Sequence, residues 1–253
     1  MHNSPFSLEG KRVMVTGASS GIGRCTAIEC SRMGAKLVLV GRREDELNKT
    51  ISALEGDGHR VEPFDIAKGE AIVGWIKEIA ARSGPLSGLA HCAGISVTMP
   101  LRGTGPDLYE KLMATNLHST FWLLKGMRQR EARSDKCSVV LLASVSGVIG
   151  TPGLTAYCAS KGGVLSLCKA AAMELAHEGI RVNVVSPAWV LTPMVEEAFD
   201  RMADENRKSI ESSHPLGVGS PEDVAYAVIY LLSNASKWVT GANFAIDGGY
   251  TAR

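Results

Sequence analysis

Short runs rich in valine, leucine and isoleucine recur along the chain and alternate with longer segments of helical periodicity. Several of these runs are continuously apolar instead of alternating with polar positions, which is typical of strands buried on both faces of a parallel sheet. The pattern predicts seven strands, at residues 12–15, 36–40, 60–64, 88–91, 138–142, 181–185 and 243–246. Helices are predicted between them, at residues 22–33, 43–55, 68–82, 105–131, 155–178 and 221–232.

Alternation of strands and helices along the whole chain predicts an α/β fold, a doubly wound, Rossmann-type parallel sheet with helices on both faces. No linker, low-complexity tract or internal repeat divides the sequence, so we expect a single domain over residues 1–253. Residues 193–219 form a charged, helix-prone insertion after the sixth strand. Because ligands of such folds bind beyond the carboxyl ends of the strands, we expect a substrate lid there, with a solvated pair of surface helices as the alternative.

Composition narrows the class of protein. The formal net charge is +1 and the lysines and arginines are scattered, which argues against a nucleic-acid partner. No apolar run approaches the ~20 residues that span a bilayer, and residues 1–10 lack the apolar core of a secretory signal. The six cysteines form no C-x-x-C pair and show no metal-binding spacing. We therefore expect a cytoplasmic enzyme with no metal site and no membrane partner.

A glycine-rich turn follows the first predicted strand and reads Thr-Gly-Ala-Ser-Ser-Gly-Ile-Gly over residues 16–23. In a strand–turn–helix unit, the first glycine permits the tight turn, the second lets the backbone approach a pyrophosphate, and the third lets helix and strand pack closely. The first turn of the following helix offers free N–H groups to phosphate oxygens. The segment therefore predicts a dinucleotide site that includes Gly17, Ser19, Ser20, Gly21, Ile22 and Gly23.

The end of the second strand indicates which dinucleotide binds. An acidic residue there would accept hydrogen bonds from the adenosine ribose and repel a 2′-phosphate, but this chain has Val40-Gly41-Arg42-Arg43-Glu44. Arg42 and Arg43 can pair with a 2′-phosphate, to which Ser19 or Ser20 adds a hydroxyl. The alternative, two solvated cations at a helix start, is opposed by the helix dipole. We expect NADP(H), with NAD as the alternative.

Three further residues form a candidate proton-transfer site. Tyr157 and Lys161 are four positions apart in a predicted helix, so they share one face. A neighbouring ammonium stabilises a phenolate, so we expect Lys161 to lower the pKa of Tyr157. Ser144 lies thirteen residues upstream, at the end of the fifth predicted strand, which points into the same crevice.

The G-x-x-x-G-x-G turn and the Y-x-x-x-K pair together resemble the short-chain dehydrogenase/reductase family in its single-domain form, over essentially the whole chain. The resemblance implies hydride transfer from the nicotinamide to a ketone. Tyr157 would donate the proton, Ser144 would bind the carbonyl oxygen, and Lys161 would hold the nicotinamide ribose. Asn116 would interrupt its helix and hold a water bonded to Lys161. The resemblance also implies cofactor contacts from Asp65, Ile66, Ala93, Gly94, Pro187, Val190 and Thr192.

The chain departs from the family pattern in two places. The usual Asn-Asn-Ala-Gly is replaced by His91-Cys92-Ala93-Gly94, and we expect His91 to brace the sheet as a buried residue. The usual glycine after Pro187 is replaced by Ala188, and we expect the adjacent Trp189 to pack in the core, with the wall of the pocket as the alternative.

Among family members, the chain is most similar to the β-ketoacyl carrier-protein reductases, which implies a 3-oxoacyl thioester as substrate. Those enzymes dock an acidic carrier protein with two exposed arginines. This chain has Glu178 at one of the positions, and Arg133 or Lys136 near the other. Glu178 would oppose an acidic partner, so a small free ketone or alcohol stays an alternative substrate.

Other functions and the state of assembly are also open at this point. An NAD-dependent dehydrogenase and a non-catalytic dinucleotide-binding regulator are alternatives, although an intact set of four catalytic residues argues against the regulator. A sugar epimerase usually has a different glycine spacing and a larger substrate domain. The resemblance implies a homotetramer, or a homodimer, formed through the helices at 105–131 and 155–178.

Overall fold

The computed structural model describes residues 4–252, in which seven strands form one parallel sheet. The strands are β1 Arg12–Thr16, β2 Lys36–Gly41, β3 Arg60–Pro63, β4 Leu86–His91, β5 Arg133–Leu142, β6 Ile180–Pro187 and β7 Asn243–Ile246. Their order across the sheet is β3-β2-β1-β4-β5-β6-β7. The order reverses between β1 and β4, which is where a doubly wound sheet opens a crevice for a ligand.

Helices cover both faces of this sheet. Their bounds are α1 Gly21–Arg32, α2 Glu44–Ile51, α3 Ala71–Ser83, α4 Pro106–Met113, α5 Ser119–Met127, α6 Thr155–Leu175, α7 Pro193–Asp200, α8 Asp204–Ser212 and α9 Pro221–Leu232. One hydrophobic core lies between the sheet and α3, α5 and α6, and a second lies between the sheet and α1, α2 and α9. The predicted fold class is confirmed. Within residues 4–252, no helix has the length and apolar character needed to cross a bilayer.

The region predicted as one helix at 105–131 is divided. A π-helical turn, Ala114–His118, separates α4 from α5. The hydroxyls of Ser119 and Thr120 donate to the carbonyl oxygens of Thr115 and Asn116, at 2.6 and 3.0 Å, and such bonds compete with regular helix geometry. Widened turns of this kind often mark functional sites, and this one carries Asn116.

Several other boundaries differ from the prediction. Strand β5 begins at Arg133, five residues early, because Arg133 pairs with Leu86 across an irregular register. The helix predicted at 155–178 ends at Leu175 and continues as a 3-10 turn, Ala176–Glu178. The insertion at 193–219 folds as α7 and α8. It is closed at its base, because Leu191 N–H donates to the Gly219 carbonyl at 2.8 Å and Gly219 N–H donates to Trp189 at 3.0 Å.

Candidate active site

A cleft of about 530 Å³ opens at the carboxyl ends of the strands. All of the predicted nucleotide contacts line it, and they share it with Ser144, Tyr157 and Lys161. Asn116 is the one predicted site residue that does not line the cleft; it is buried behind it. The cleft is also lined by residues that the sequence did not single out for this site: Val40, Gly41, Phe64, Ala67, Cys92, Ile95, Ser96, Lys111, Thr115, Leu142, Ala143, Ala188, Pro193, Met194 and Val195.

The glycine turn after β1 has the backbone shape that a pyrophosphate requires. Gly17 has φ +70° and lies so near the loop after β4 that a Cβ would stand 2.8 Å from the backbone nitrogen of Ala93. A Cβ on Gly23 would overlap the carbonyl oxygen of Gly17. Ser20 precedes α1 in an extended conformation without capping it, and the first turn of α1 has no acidic residue. The N-terminus of α1 is therefore suited to bind an anion.

Both arginines after β2 are exposed at one end of the cleft. Arg43 Nη2 donates to Ser19 Oγ at 3.4 Å, so the second strand and the glycine turn meet at this place. On the other side of that end, Asp65 Oδ1 accepts a hydrogen bond of 3.0 Å from the Ala67 N–H, and Ile66 is buried. Cations with a nearby hydroxyl form a site that fits a phosphate group.

Arg24, which the sequence did not single out, ties the glycine turn to α2. Its Nη2 donates to the Ser19 carbonyl at 2.5 Å and to Glu46 Oε2 at 2.6 Å, and its Nε donates to Thr50 Oγ1 at 3.0 Å. Thr50 in turn donates to the Ala18 carbonyl at 2.8 Å. Hydrogen bonds from Lys49 and Arg24 lower the pKa of Glu46 to about 2, so this ion pair persists over the whole neutral range.

The candidate catalytic side chains meet at the ends of β5 and α6. Lys161 Nζ lies 5.8 Å from the centre of the Tyr157 ring, as expected for residues four apart on one helix. The same Nζ donates to the Leu142 carbonyl at 2.8 Å, and Lys161 is buried. Ser144 begins a 3-10 turn, where its Oγ accepts from the Ser146 N–H at 3.1 Å.

The expectation that Lys161 lowers the pKa of Tyr157 is wrong for this structure. Burial raises the pKa of the Tyr157 phenol, and the Ser144 hydroxyl lowers it to a smaller extent. Burial also lowers the pKa of Lys161 to about 8, against a smaller raising effect of the Cys92 thiol. Desolvation dominates both pKa values, and the Lys161 ammonium donates its hydrogen bond to the Leu142 carbonyl. Tyr157 is therefore a protonated phenol at neutral pH, the form that can donate a proton.

Asn116 connects the π turn to the loop after β4. Its Oδ1 accepts from the Ile95 N–H at 2.9 Å, and its Nδ2 donates to the Ile95 carbonyl and to Ser160 Oγ, each at 3.0 Å. A Cβ on Gly94 would stand 3.3 Å from both Asn116 Oδ1 and Lys161 Nζ, so the two polar groups face the same place beside Gly94. The sequence did not indicate Ser160 as a site residue, because its partner Asn116 lies on a different helical segment.

His91 and Cys92, which replace the family's two asparagines, differ from each other in their surroundings. His91 is buried, with Nδ1 at 2.7 Å from Thr16 Oγ1 and Nε2 at 3.2 Å from Ser119 Oγ, so it bridges β1, β4 and α5. Burial lowers the pKa of His91 to about 3, and the imidazole stays neutral. Its neighbour Cys92 lines the cleft, and burial raises the pKa of that thiol to about 12. His91 has the geometry of the expected bracing residue.

The loop after β6 joins the cleft to the insertion. Trp189 is partly buried and stacks on Phe199 of α7, with ring centres 5.5 Å apart and planes 16° apart. Trp189 therefore packs against the insertion and belongs to neither hydrophobic core, so the expected core position is wrong. Thr192 begins α7, and a Cβ on Gly21 would stand 3.3 Å from its Cγ2, so the glycine turn and the start of α7 face each other across the cleft.

Comparison with known proteins agrees with this architecture. A family model described as enoyl-(acyl carrier protein) reductase matches residues 17–251. The NADP-dependent (R)-specific alcohol dehydrogenase of Lentilactobacillus kefiri is 35% identical, with 97% of this chain and 98% of that protein covered. The 3-oxoacyl-[acyl-carrier-protein] reductase of Rickettsia prowazekii is 33% identical, with 96% and 98% covered.

Among solved structures, a short-chain type dehydrogenase/reductase from Mycobacterium marinum superposes with a TM-score of 0.88 at 32% identity, covering 98% of each chain. The similarity thus extends over nearly the full length of this chain. The chain belongs to the short-chain dehydrogenase/reductase family, whose members are oxidoreductases that bind a nicotinamide dinucleotide.

Proposed function

We propose that this protein is an NADPH-dependent reductase that converts a free ketone into a secondary alcohol. One observation carries the proposal: the hydroxyls of Ser144 and Tyr157 line the same cleft as the glycine turn and the two exposed arginines. The cleft therefore offers a phosphate-binding end and a proton-donating end to one bound dinucleotide. The pKa of Tyr157, raised by burial, supports the reductive direction because reduction requires a protonated donor.

The side chains have separate roles in the proposed reaction. When bound, NADPH supplies the hydride that adds to the carbonyl carbon. Tyr157 gives its phenolic proton to the carbonyl oxygen, so that C=O becomes CH–OH, and the phenolate then regains a proton from solvent. Ser144 donates a hydrogen bond to the same oxygen and stabilises the charge that develops on it. Lys161 holds the ribose hydroxyls next to the nicotinamide, and Asn116 connects Lys161 to solvent through a water.

The remaining predicted contacts bind the cofactor. We propose that the first turn of α1 binds the pyrophosphate and that Arg42, Arg43 and Ser19 bind the 2′-phosphate. The exposed arginines and the absence of an acid at the end of β2 support NADP over NAD. The relative from Lentilactobacillus kefiri is NADP-dependent. Contacts to the adenine, ribose and carboxamide are proposed for Asp65, Ile66, Ala93, Gly94, Pro187, Val190 and Thr192.

A free ketone is favoured over a carrier-bound thioester by the cluster around Glu178. Arg128 Nε donates to Glu178 at 2.7 Å, and Arg133 Nη2 donates to it at 3.4 Å. The Arg133 side chain is only 7% exposed. The arginine that could have met an acidic carrier protein is thus bound within the chain, beside a carboxylate that would repel such a partner.

The test is a substrate panel assayed by NADPH oxidation, containing small ketones, 3-oxoacyl-coenzyme A thioesters and 3-oxoacyl carrier proteins. We expect turnover of small ketones, and no gain in kcat/KM when a thioester is attached to the carrier protein. A kcat/KM that is highest for the carrier-bound substrate would overturn the free-ketone assignment. Turnover with NADH equal to that with NADPH would overturn the cofactor assignment.

The pH profile of the reduction tests the role of Lys161. We expect kcat/KM to fall as the pH rises through about 8, because burial lowers the pKa of Lys161 to that value and the ammonium is lost above it. Below that pH, Lys161 is charged and Tyr157 is protonated, the two forms that reduction needs. The variant Lys161→Arg keeps its positive charge throughout this range. Its kcat/KM should be lower than that of the native protein but should not fall as the pH rises through about 8. A native profile that stays flat across about pH 7–9 would contradict the prediction.

The bridge from the glycine turn to α2 predicts a role for Arg24 in cofactor preference. Since α2 begins directly after Arg42 and Arg43, Arg24 positions those cations against Ser19. Losing its charge-assisted bonds in Arg24→Met is expected to raise the KM for NADPH about tenfold and the KM for NADH less than about twofold. Arg32→Met is the control, because Arg32 is exposed at the end of α1, the helix that also carries Arg24. Equal increases for both cofactors would indicate a purely structural role.

The insertion is proposed as a substrate lid, because Pro193, Met194 and Val195 at its start line the cleft.

Assembly as a homotetramer, or a homodimer, is proposed through α4, α5 and α6. Tyr109, Phe121 and Met173 on these helices are 41%, 49% and 81% exposed, and light scattering would give the mass of the assembly.

A further inference from the structure

Three loops follow the strands that end near the reacting hydroxyls, and the first and the third of them line the cleft. They follow β4, β5 and β6, which are neighbours in the sheet, and they contain residues 95–101, 145–154 and 188–195. The first two are joined by a hydrogen bond of 2.8 Å from the Met99 N–H to the Gly153 carbonyl. The third carries Met194 and Val195 into the cleft, opposite the glycine turn. We call this part of the cleft the substrate end.

The substrate end has no charged residue of its own. Residues 95–101, 145–160 and 184–195 contain no Asp, Glu, Lys, Arg or His. Within residues 4–252, the charged side chains that line the cleft are five. Arg42, Arg43 and Asp65 follow β2 and β3, at the phosphate-binding end, and Lys111 lies on α4. The fifth, Lys161, already donates to the Leu142 carbonyl.

Each of the three loops exposes at least one apolar side chain, and one of these side chains, Met194, lines the cleft. Val97, Val148, Leu191 and Met194 are 36%, 62%, 44% and 52% exposed, and each lies in one of the three loops. Apolar side chains that line a cleft, as Met194 and Val195 do, are typical of a ligand-binding surface, since contact with an apolar ligand removes them from water. These side chains offer dispersion contacts and no hydrogen bonds.

Charges just outside the substrate end would repel an anion. Glu196 and Glu197 follow Val195 on α7, and both are exposed. Arg201 lies 3.6 Å from Glu197 and is paired with it, and Arg102, after the first loop, does not line the cleft. A substrate carboxylate at this end would lose water without gaining a counter-ion from the three loops, which disfavours its binding.

We propose that the cleft selects uncharged ketones with apolar substituents and discriminates against ketones that carry a carboxylate near the carbonyl. This inference rests on the proposed reductase function and names the substrate class for that same site. It excludes sugar acids and free 3-oxo acids as good substrates, and it assigns Met194 and Val195 as residues that contact the substituent of the ketone.

A matched pair of substrates isolates the charge. Methyl acetoacetate and acetoacetate present the same ketone, as a neutral ester and as an anion. With NADPH and the full-length protein, we expect kcat/KM to be on the order of 100-fold higher for the ester, because the three loops of the substrate end offer no cation to the anion. A kcat/KM for the anion equal to or above that of the ester would overturn the inference and leave the reductase function intact. No NADPH oxidation with any ketone would overturn both.

A variant with a cation in the wall gives a second, independent readout. Met194→Arg places a guanidinium at the substrate end and is expected to reduce the ester-to-anion ratio of kcat/KM at least about tenfold. Leu216→Arg adds the same charge at an 87% exposed position that does not line the cleft, and we expect it to leave the ratio unchanged. If both variants shift the ratio alike, or neither does, the placement of the substrate against Met194 is wrong.

Discussion

Replacing Tyr157 with phenylalanine is expected to lower kcat for ketone reduction by about 10²–10⁴-fold, the usual contribution of a positioned proton donor. The change removes the phenolic oxygen that would protonate the carbonyl and leaves the ring on α6 in place. The Lys161 bond to the Leu142 carbonyl does not involve that oxygen, so the dissociation constant for NADPH should change by less than about threefold. Stopped-flow rates and fluorescence titration with NADPH would measure the two effects separately.

The control for this variant is Tyr226→Phe. Tyr226 lies on α9, is 57% exposed and does not line the cleft, so losing its hydroxyl should leave both constants unchanged. A Tyr157→Phe protein that reduces ketones at the native rate would show that the proton comes from another group. Ser144 is the neighbouring hydroxyl that would then have to act as donor.

A methyl group on Gly23 is expected to disrupt the cofactor site and the fold together. In Gly23→Ala, the new Cβ would overlap the Gly17 carbonyl oxygen, and backbone atoms on both sides leave no flexible group to move away. We expect the free energy of unfolding to fall by at least about 1–3 kcal/mol, the typical cost of overpacking. NADPH binding should be lost, because α1 and the glycine turn can no longer approach each other. Thermal unfolding with and without NADPH would record both losses.

Gly74 provides a matched comparison within the same protein. It also lies inside a helix, α3, but a Cβ there would meet no atom within 4 Å. Gly74→Ala should therefore stabilise the protein by about 0.5–1 kcal/mol, the difference in helix propensity, and leave NADPH binding unchanged. Similar effects of the two substitutions would mean that the close contact at Gly23 has no importance for the site.

Much of the site could be predicted because its residues are determined by local geometry. The glycine turn depends on backbone conformations that glycine alone adopts easily, and Gly17 has the required positive φ. Tyr157 and Lys161 meet because four residues make about one helical turn. The continuous apolar strands determined the order of elements and the fold class. In each case, the signal and the structure lie within a few residues of each other.

The remaining features depend on contacts between distant segments. The π turn at Asn116, which the family resemblance implied and the local spacing did not, accompanies the bonds of Asn116 to Ile95 on another loop. Arg24 has its partner Glu46 on the following helix, so it could not be told from a surface arginine. The pKa of Tyr157 is raised because the phenol is buried, and the spacing of residues along the chain does not reveal burial. Sequence patterns indicate which groups are present more readily than how much water surrounds them.

The closed base of the insertion has a consequence for how this molecule can change over time. The insertion begins just after Trp189 and ends at Gly219, and backbone hydrogen bonds join these two places. Lengthening a loop whose ends are fixed costs only about 0.6 kcal/mol for each doubling. The returning part of the insertion is also held, because the Leu216 N–H donates to the Gly248 carbonyl after β7. We expect additions or deletions between α7 and α8 to leave the pairing of β6 with β7 untouched. We therefore expect the segment proposed to meet the substrate to act as an exchangeable module, in which new specificities can arise without any change in the residues proposed to bind the dinucleotide.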